Sequence, residues 1–520
     1  MFDLLISGAN IIDGSGGPAF AGDVAVETGR IAAVGRLGDA PARRRIDAAG
    51  RCLTPGFIDI HRHADAALFR PGWGRAELDQ GLTTVINGNC GLSLAPTRGP
   101  PQRDAFEPDV LRYLAPIVGE LPEGRDFPGM ASYLALVREA APPLNTYMLA
   151  GMGTIRACAA GFSDAPLTDE QYRTVHALLE DSLAGGALGV SLGLGYAPEC
   201  FYDTPGLIRA LEPLRGSKVP VTVHMRQEGD GVVDALREML DVARELRMPL
   251  EISHLKAIGR RNWRRAVPEM LRLIREARDE GLDVMCDVYP YPAGSTQLIH
   301  VLPPEFQAGG TEALTTALAD PGSRAKIRRR MESGTDFENI SLLVGFENIR
   351  ATSLHLPEDR PFEGCSIAEI AAARGSDPFD ALFDLLAAEH CAVSMIDFIA
   401  DEDDIRDILK APFSGVISDA TYPVGGLLHP RVYGSFTRLI ERYVVKEGLL
   451  SLPEAVHKVT MQPAERFGLK SKGRIAPGAD ADLLLFSPEK LRERDSYEHP
   501  DRLAAGMELV LVGGVERSFQ

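Results

Sequence analysis

Eight short apolar runs, spaced along the middle of the chain, are the feature that most constrains its fold. Helical stretches fit between most of them, and the one over 168–183 opens with the capping pattern Thr168-x-x-Gln171. Strand-like runs that alternate with helices are typical of a parallel α/β barrel. The runs cover residues 57–63, 83–87, 145–150, 187–192, 219–224, 249–254, 283–288 and 415–418.

Both ends of the chain have a different, β-rich character. Near the start, the apolar runs 23–26 and 30–34 flank Glu27-Thr28-Gly29, which is a hairpin signal. Near the end, residues 481–486 and 509–512 form similar runs. We therefore expect 1–55 and 468–520 to pair as one small β-sandwich domain, and 56–467 to form a TIM-like (β/α)8 barrel.

The last two barrel runs are separated by a long segment with elements of its own, at about 295–412. Among these elements are the apolar triplet at 342–344 and a helix-like stretch over 378–388. An insertion at this point would lie on the C-terminal face of a barrel, where substrates bind. We expect this insertion to act as a lid.

Composition excludes several classes of partner. A net charge of −18 disfavours a phosphate-binding surface, so we expect no nucleic acid. No apolar run approaches the length of a membrane span, and the N-terminus lacks a basic segment followed by an apolar one, so we expect no membrane partner. Seven scattered cysteines suit a reducing cytoplasm. The sequence does not indicate an oligomeric state.

Side chains that bind metals occur at or just beyond the ends of five of the eight runs. His61 and His63 alternate, so in a strand both point the same way. Because strand ends converge on one face of a barrel, ligands far apart in sequence meet there, and imidazole, thiolate and carboxylate together suit zinc. Any one of them alone could be a packing residue. The candidates are His61, His63, Cys90, His224, His254 and Asp419.

These motifs resemble the amidohydrolase superfamily and, within it, the D-aminoacylase (N-acyl-D-amino-acid deacylase) family. The resemblance covers essentially the whole chain. One departure from the wider superfamily is informative: many binuclear members carry a carboxylated lysine on the fourth strand, and 187–196 contains none. Cys90 occupies the cysteine position of the D-aminoacylase group, which argues against the hydantoinase and dihydroorotase branches. The matching stretches are 55–63, 88–91, 191–196, 224–226, 253–256, 287–291, 293–296, 429–431 and 473–483.

The resemblance implies a zinc-dependent hydrolysis of N-acyl-D-amino acids, small molecules that are split into a carboxylate and a free D-amino acid. It assigns the tight zinc to Cys90, His224 and His254. His61, His63 and Asp419 then form a second, weaker site, and whether one or two metals act stays open. Ala420 stands where the family has glycine, but the neighbouring carboxylate is retained.

Asp419 is the expected general base, and Tyr196 the expected hydrogen-bond donor to the oxyanion, although an aromatic residue at a barrel rim could equally be a packing residue. Lys256 and Arg431 are the expected anchors for the product's carboxylate, and Arg431 can form a bidentate fork. Either could instead be an ordinary solvated cation. Two further residues are expected to line the same pocket, namely Tyr289 and Ser295.

Two alternatives stay open at this point. One is another amidohydrolase that acts on a related amide, such as an N-acyl-D-glutamate, a cyclic ureide or a dipeptide. An acidic side chain would need a further cation, which the sequence does not place. The other is a non-catalytic barrel that serves as a scaffold, which we would expect to have lost metal ligands.

Overall fold

The computed structural model describes residues 1–97, 103–121, 124 and 128–517. Its strands are β1 (Phe2–Ile11), β2 (Phe20–Glu27), β3 (Arg30–Gly35), β4 (Ala42–Asp47), β5 (Cys52–Pro55), β6 (Phe57–Asp59), β7 (Leu82–Asn87), β8 (Asn145–Gly151), β9 (Gly189–Gly193), β10 (Val221–His224), β11 (Leu250–Ile252), β12 (Val284–Val288), β13 (Ala293–Gln297), β14 (Ile349–Thr352), β15 (Ser394–Phe398), β16 (Ser414–Val416), β17 (Leu483–Phe486), β18 (Met507–Val512) and β19 (Val515–Glu516).

The α-helices of the described residues are α1 (Arg75–Asp79), α2 (Arg103–Val118), α3 (Met130–Ala140), α4 (Met152–Ala160), α5 (Asp169–Ala184), α6 (Thr204–Ala210), α7 (Val232–Leu246), α8 (Ala266–Asp279), α9 (Gly310–Ala319), α10 (Pro321–Ser333), α11 (Ile340–Val344), α12 (Ile367–Arg374), α13 (Pro378–Ala388), α14 (Glu402–Lys410), α15 (Arg431–Arg438), α16 (Leu452–Lys458) and α17 (Met461–Arg466). None of these helices, in the part of the chain that the structure describes, is long and apolar enough to cross a bilayer.

The centre of the molecule is a parallel barrel. Its strands follow the order β16-β12-β11-β10-β9-β8-β7-β6, and each predicted apolar run overlaps one of them. The ring closes just past the ends of β6 and β16, where Asp419 N donates to His61 O (2.9 Å) and His63 N donates to Ala420 O (2.9 Å). The predicted α/β barrel is confirmed, and its closing seam contains three of the candidate metal ligands.

The barrel strands are buried on both faces because helices cover the outside, which explains their continuous apolar sequence. Helix α5 begins where the capping pattern predicts: Gln171 N donates to Thr168 Oγ1 (3.3 Å) and Thr168 N donates to Gln171 Oε1 (2.9 Å). Two backbone N–H groups at the start of the helix, which have no partner within the helix, are thereby hydrogen-bonded.

Both chain ends join in one further sheet, in the order β19-β18-β17-β5-β1-β2-β3, with β4 paired to β1. Side chains from the two ends share a single buried core, for example Ile6, Val24, Leu53, Leu485 and Leu511. The expected small β-domain built from both termini is therefore confirmed. The sheet meets the barrel where β5 ends at Pro55 and β6 begins at Phe57.

The segment between β12 and β16 contains an antiparallel sheet in the order β13-β15-β14 and helices α9–α13. The predicted helix over 378–388 is α13, and the apolar triplet at 342–344 lies in α11. Helix α14 packs against α8, β12 and β16, so it continues the helical layer of the barrel. The segment also contributes side chains to the cavity at the C-terminal end of the barrel, among them Ser295, His300 and Asp397.

Candidate active site

The six predicted metal ligands converge at the C-terminal face of the barrel. His61 Nε2 and His63 Nε2 each lie 3.3 Å from Asp419 Oδ1. His61 Nε2 is also 3.2 Å from Cys90 Sγ. The donor atoms of these four residues all lie within 4.8 Å of one another. They therefore form one compact group at the seam of the barrel.

A second group of donors shares Cys90 with the first. Cys90 Sγ lies 3.4 Å from His254 Nε2, and that nitrogen lies 3.2 Å from His224 Nδ1. These three donors also fall within 4.8 Å of one another. The Cys90 thiol therefore belongs to both donor groups.

Three of the ligands have unusual backbone conformations. Cys90, His254 and Asp419 have φ of 53°, 37° and 51°, in the left-handed region that non-glycine residues rarely adopt. Each follows a barrel strand, where the turn directs the side chain into the barrel mouth. Such conformations cost about 1–3 kcal/mol each and cluster at functional sites. On the neighbouring strand β9, Gly193 leaves room for this turn because it has no side chain. A Cβ at that position would lie 2.0 Å from Cys90 O.

The protonation states of these metal-donor side chains favour the binding of a cation. Burial lowers the pKa of His61 to about 4 and those of His224 and His254 well below the usual value, so all three are neutral imidazoles at pH 7. Burial also raises the pKa of the Cys90 thiol well above its usual value. Neutral imidazoles, a carboxylate and a thiol that ionises on metal binding are the donor set that zinc prefers.

Asp419 is ionised despite its burial. Burial alone would raise its pKa, but Arg431 Nη1 lies 2.8 Å from Oδ2 and outweighs that effect together with His61 and His63. The pKa of Asp419 is held well below the usual range as a result. The side chain is therefore available as a metal ligand or a proton acceptor.

Glu228 is a residue that the sequence analysis missed. It is 2% exposed, and its Oε1 lies 2.9 Å from His254 Nδ1. Its Oε2 lies 3.9 Å from His224 Nε2 and 2.7 Å from Lys256 Nζ. One carboxylate thus contacts two histidines of the same donor group. The sequence offers one indication of its role: Glu228 lies four residues after His224, at the start of the loop that follows β10.

The predicted substrate-binding residues line the same cavity. Arg431 Nη2 donates to Ser295 O at 2.8 Å, and the ring of Tyr289 lies 4.8 Å from Arg431 Cζ and 5.7 Å from Lys256 Nζ. Both cations are buried rather than solvated, with exposures of 1% and 8%. Ser295 Oγ lies 3.3 Å from the hydroxyl of Thr421.

Tyr196 lies beside His224 in the same cavity. Its ring is 4.6 Å from those of both His224 and His300, and its hydroxyl is 2.9 Å from Thr296 Oγ1. Burial raises the pKa of this phenol well above its usual value, so it stays a protonated donor. His300 and Thr296 are further cavity residues that the sequence analysis did not assign to the site.

Comparisons with known proteins agree with this geometry. A family model described as "Amidohydrolase family" matches residues 44–110 and 144–517. The D-aminoacylase of Alcaligenes xylosoxydans xylosoxydans is 34% identical over 517 residues, which are 99% of this chain and 94% of that protein. The N-acyl-D-glutamate deacylase of the same organism is 35% identical over 513 residues, 98% and 93% of the two chains. The chain belongs to the D-aminoacylase family of amidohydrolases.

Structural similarity extends over the whole of this amidohydrolase. The N-acyl-D-glutamate deacylase from Bordetella bronchiseptica, solved with zinc and a phosphonate mimic of the tetrahedral intermediate, matches with a TM-score of 0.82 at 32% identity. The match covers 99% of this chain and 96% of that one. The predicted family is confirmed, the protein is a metal-dependent hydrolase of amide bonds, and the alternative of a non-catalytic scaffold no longer applies.

Proposed function

We propose that this amidohydrolase uses zinc to hydrolyse N-acyl-D-amino acids to a carboxylate and a free D-amino acid. The observation that carries the proposal is the placement of Arg431 and Lys256, two buried cations, in the cavity that five of the six metal donors line. A linear N-acyl amino acid has a free carboxylate to bind them. A cyclic ureide has none, so the cavity disfavours that alternative. The D-configuration follows from the named relatives.

We assign the tighter zinc site to Cys90, His224 and His254, and a weaker one to His61, His63 and Asp419. The outer hydrogen bonds support this order, because Glu228 holds His254 in place. Nδ1 of His61 and Nδ1 of His63 have no such partner among the described residues. When bound, zinc activates water as a nucleophile and withdraws electron density from the scissile carbonyl.

The chain's own residues move the protons. Asp419, which is ionised and belongs to the donor group at the seam, accepts the proton of the attacking water and returns it to the departing nitrogen, so that the amine leaves as a neutral species. Tyr196 exchanges its hydrogen bond to Thr296 for one to the oxyanion that develops on the carbonyl.

Arg431 and Lys256 anchor the α-carboxylate in this scheme, and Tyr289 and Ser295 complete the pocket. Tyr289 Oη has no hydrogen-bond partner in the described structure, so it is available to a ligand. We further propose that residues 295–412 act as the lid, since their side chains line the cavity. A cytoplasmic location is consistent with seven cysteines that no disulfide joins, all of them in the described part of the chain.

The decisive experiment is hydrolysis of a panel of N-acetyl amino acids, with both enantiomers of each, by zinc-loaded protein. Release of acetate from the D-enantiomers alone is the expected result. Turnover of the L-enantiomers would contradict the stereochemistry, and no turnover of either set by protein that contains stoichiometric zinc would assign the site to a different amide.

Asp419→Asn tests the assignment of the base. Because the amide cannot accept the proton, we expect the turnover number to fall by at least about 100-fold. The zinc held by Cys90, His224 and His254 should remain, and metal analysis after dialysis checks this. A variant that retains a near-native rate would exclude Asp419 as the base.

A further inference from the structure

Of the charged side chains that line the active-site cavity, all but one form ion pairs among the described residues. Among the described residues that line it, Lys256 and Arg431 are the basic side chains and Glu228, Asp397 and Asp419 the acidic ones. Glu228 pairs with Lys256 at 2.7 Å, and Asp419 pairs with Arg431 at 2.8 Å. Asp397 has no ion pair within the described part of the chain, and its Oδ1 has no hydrogen-bond partner there.

Asp397 lies at the end of the cavity where the α-carboxylate is proposed to bind. Strand β15 carries it opposite Gly294 of β13. A Cβ on Gly294 would lie 2.8 Å from Asp397 Oδ1 and 3.4 Å from Tyr289 Oη, and the ring of Tyr289 lies beside both anchoring cations. Asp397 is therefore close to the amino-acid part of a bound substrate.

A carboxylate in this position is costly unless a ligand pairs with it. Asp397 is 2% exposed, and burial raises its pKa to about 6 against the opposing effect of the nearby Lys256 and Arg431, so it is still largely ionised at neutral pH. A bound α-carboxylate would occupy Arg431 and Lys256 and add a further negative charge. The described lining then offers no basic side chain to Asp397. A cation carried by the substrate would supply the missing partner.

We propose that Asp397 makes this enzyme selective for N-acyl-D-amino acids with a positively charged side chain, such as D-lysine, D-ornithine or D-arginine. The inference rests on the proposed deacylase function and adds its substrate class. The same charges disfavour acidic side chains, since a second carboxylate would meet Asp397 and Glu228 without a basic side chain to pair with among the described lining residues. In this respect the protein differs from its relative that is an N-acyl-D-glutamate deacylase.

The test compares N-acetyl-D-lysine with N-acetyl-D-norleucine, whose side chain has the same carbon skeleton without the charge. For zinc-loaded enzyme we expect kcat/KM to be about 10- to 100-fold higher for the lysine substrate, the range of a charge-assisted hydrogen bond. N-acetyl-D-glutamate should be the poorest of the three. In Asp397→Asn the lysine-to-norleucine ratio should fall to about 1, whereas the control Asp407→Asn, on the exposed side of α14, keeps the native ratio.

A ratio of 1 or less in the native enzyme, or a lysine preference that survives Asp397→Asn, would overturn this inference. If norleucine is hydrolysed in those cases, the proposed deacylase function stands. If zinc-loaded protein hydrolyses none of the D-substrates, the proposed function fails and the inference fails with it. Should Asp397→Asn not fold, the comparison of the three substrates on native enzyme still decides the question.

Discussion

Two single residues in this site, Lys256 and Arg431, are already paired with buried acids before a substrate arrives. Glu228 contacts His254, His224 and Lys256 at once. Glu228 Oε1 and Lys256 Nζ lie 2.9 and 2.8 Å from His254 Nδ1, and these contacts orient the ring with Nε2 towards the other donors. Lys256 is held at the same time in a position to meet a carboxylate. One buried acid therefore connects metal binding to substrate binding.

Glu228→Gln should weaken zinc binding by about 10- to 100-fold, because outer partners of ligating histidines have effects of this size. Competition with a chromophoric chelator measures the affinity. Glu245→Gln, on an exposed part of α7, is the matched control and should leave the affinity unchanged. Equal zinc affinity in native protein and Glu228→Gln would show that the carboxylate does not position the histidine.

For single residues, the sequence predicts the metal-binding side chains better than it predicts the residues that contact them. His61, His63 and Asp419 could be found because strand ends converge in a barrel, so position along the chain fixes position in space. The pairing of Lys256 with Glu228 depends on the course of the loop after β10, for which no periodic pattern exists. Asp397 could not be predicted for another reason. Its position opposite Gly294 depends on antiparallel strand pairing within a long insertion.

Among the elements, the junction of β6 and β16 is the one on which the site depends most. Asp59 of β6 accepts hydrogen bonds from Ser418 N (3.1 Å) and Arg62 Nη1 (3.1 Å), and it is fully buried. Arg62 in turn pairs with Glu77 at 2.7 Å. This buried network joins the first and last strands next to their metal ligands.

Asp59→Ala should lower the free energy of unfolding by about 3–5 kcal/mol, since it leaves Arg62 buried with only part of its countercharge. Urea denaturation measures the change. Asp234→Ala removes an exposed carboxylate that pairs with Arg237 on α7, and it should cost no more than about 0.5 kcal/mol. Similar losses in the two variants would mean that the network does not stabilise the seam.

The inserted segment is the second element with a testable role. If residues 295–412 form a lid, a bound substrate should protect them from limited proteolysis. Zinc-loaded Asp419→Asn with N-acetyl-D-norleucine provides a complex that turns over slowly. Cleavage within the segment should become slower than in the ligand-free variant, and unchanged cleavage would count against a lid.

The barrel runs were predictable from their period and composition, whereas the path of this segment over the cavity was not.

For the whole molecule, buried acids should make stability depend on pH. Burial raises the pKa of Glu199 from 4.5 to about 8, so between these values the native carboxyl is protonated while the unfolded one is ionised. The native state then binds more protons, and the free energy of unfolding decreases as pH rises through this window. The slope for one such group is at most about 1.4 kcal/mol per pH unit.

Glu199→Gln should remove this contribution, because the amide keeps an acceptor for Gly193 N (2.9 Å) without titrating. Urea denaturation at pH 6, 7 and 8 should show a shallower decrease than in native protein, by about 1 kcal/mol per pH unit. The exposed Glu489→Gln should follow the native slope. Parallel slopes for native protein and Glu199→Gln would contradict the assignment.

The shared use of Cys90 has a consequence for biosynthesis. A ribosome makes β7, β10 and β11, and with them Cys90, His224 and His254, before the insertion and before the strand that leads to Asp419. The nascent polypeptide therefore carries every donor of one group while the other still lacks its carboxylate.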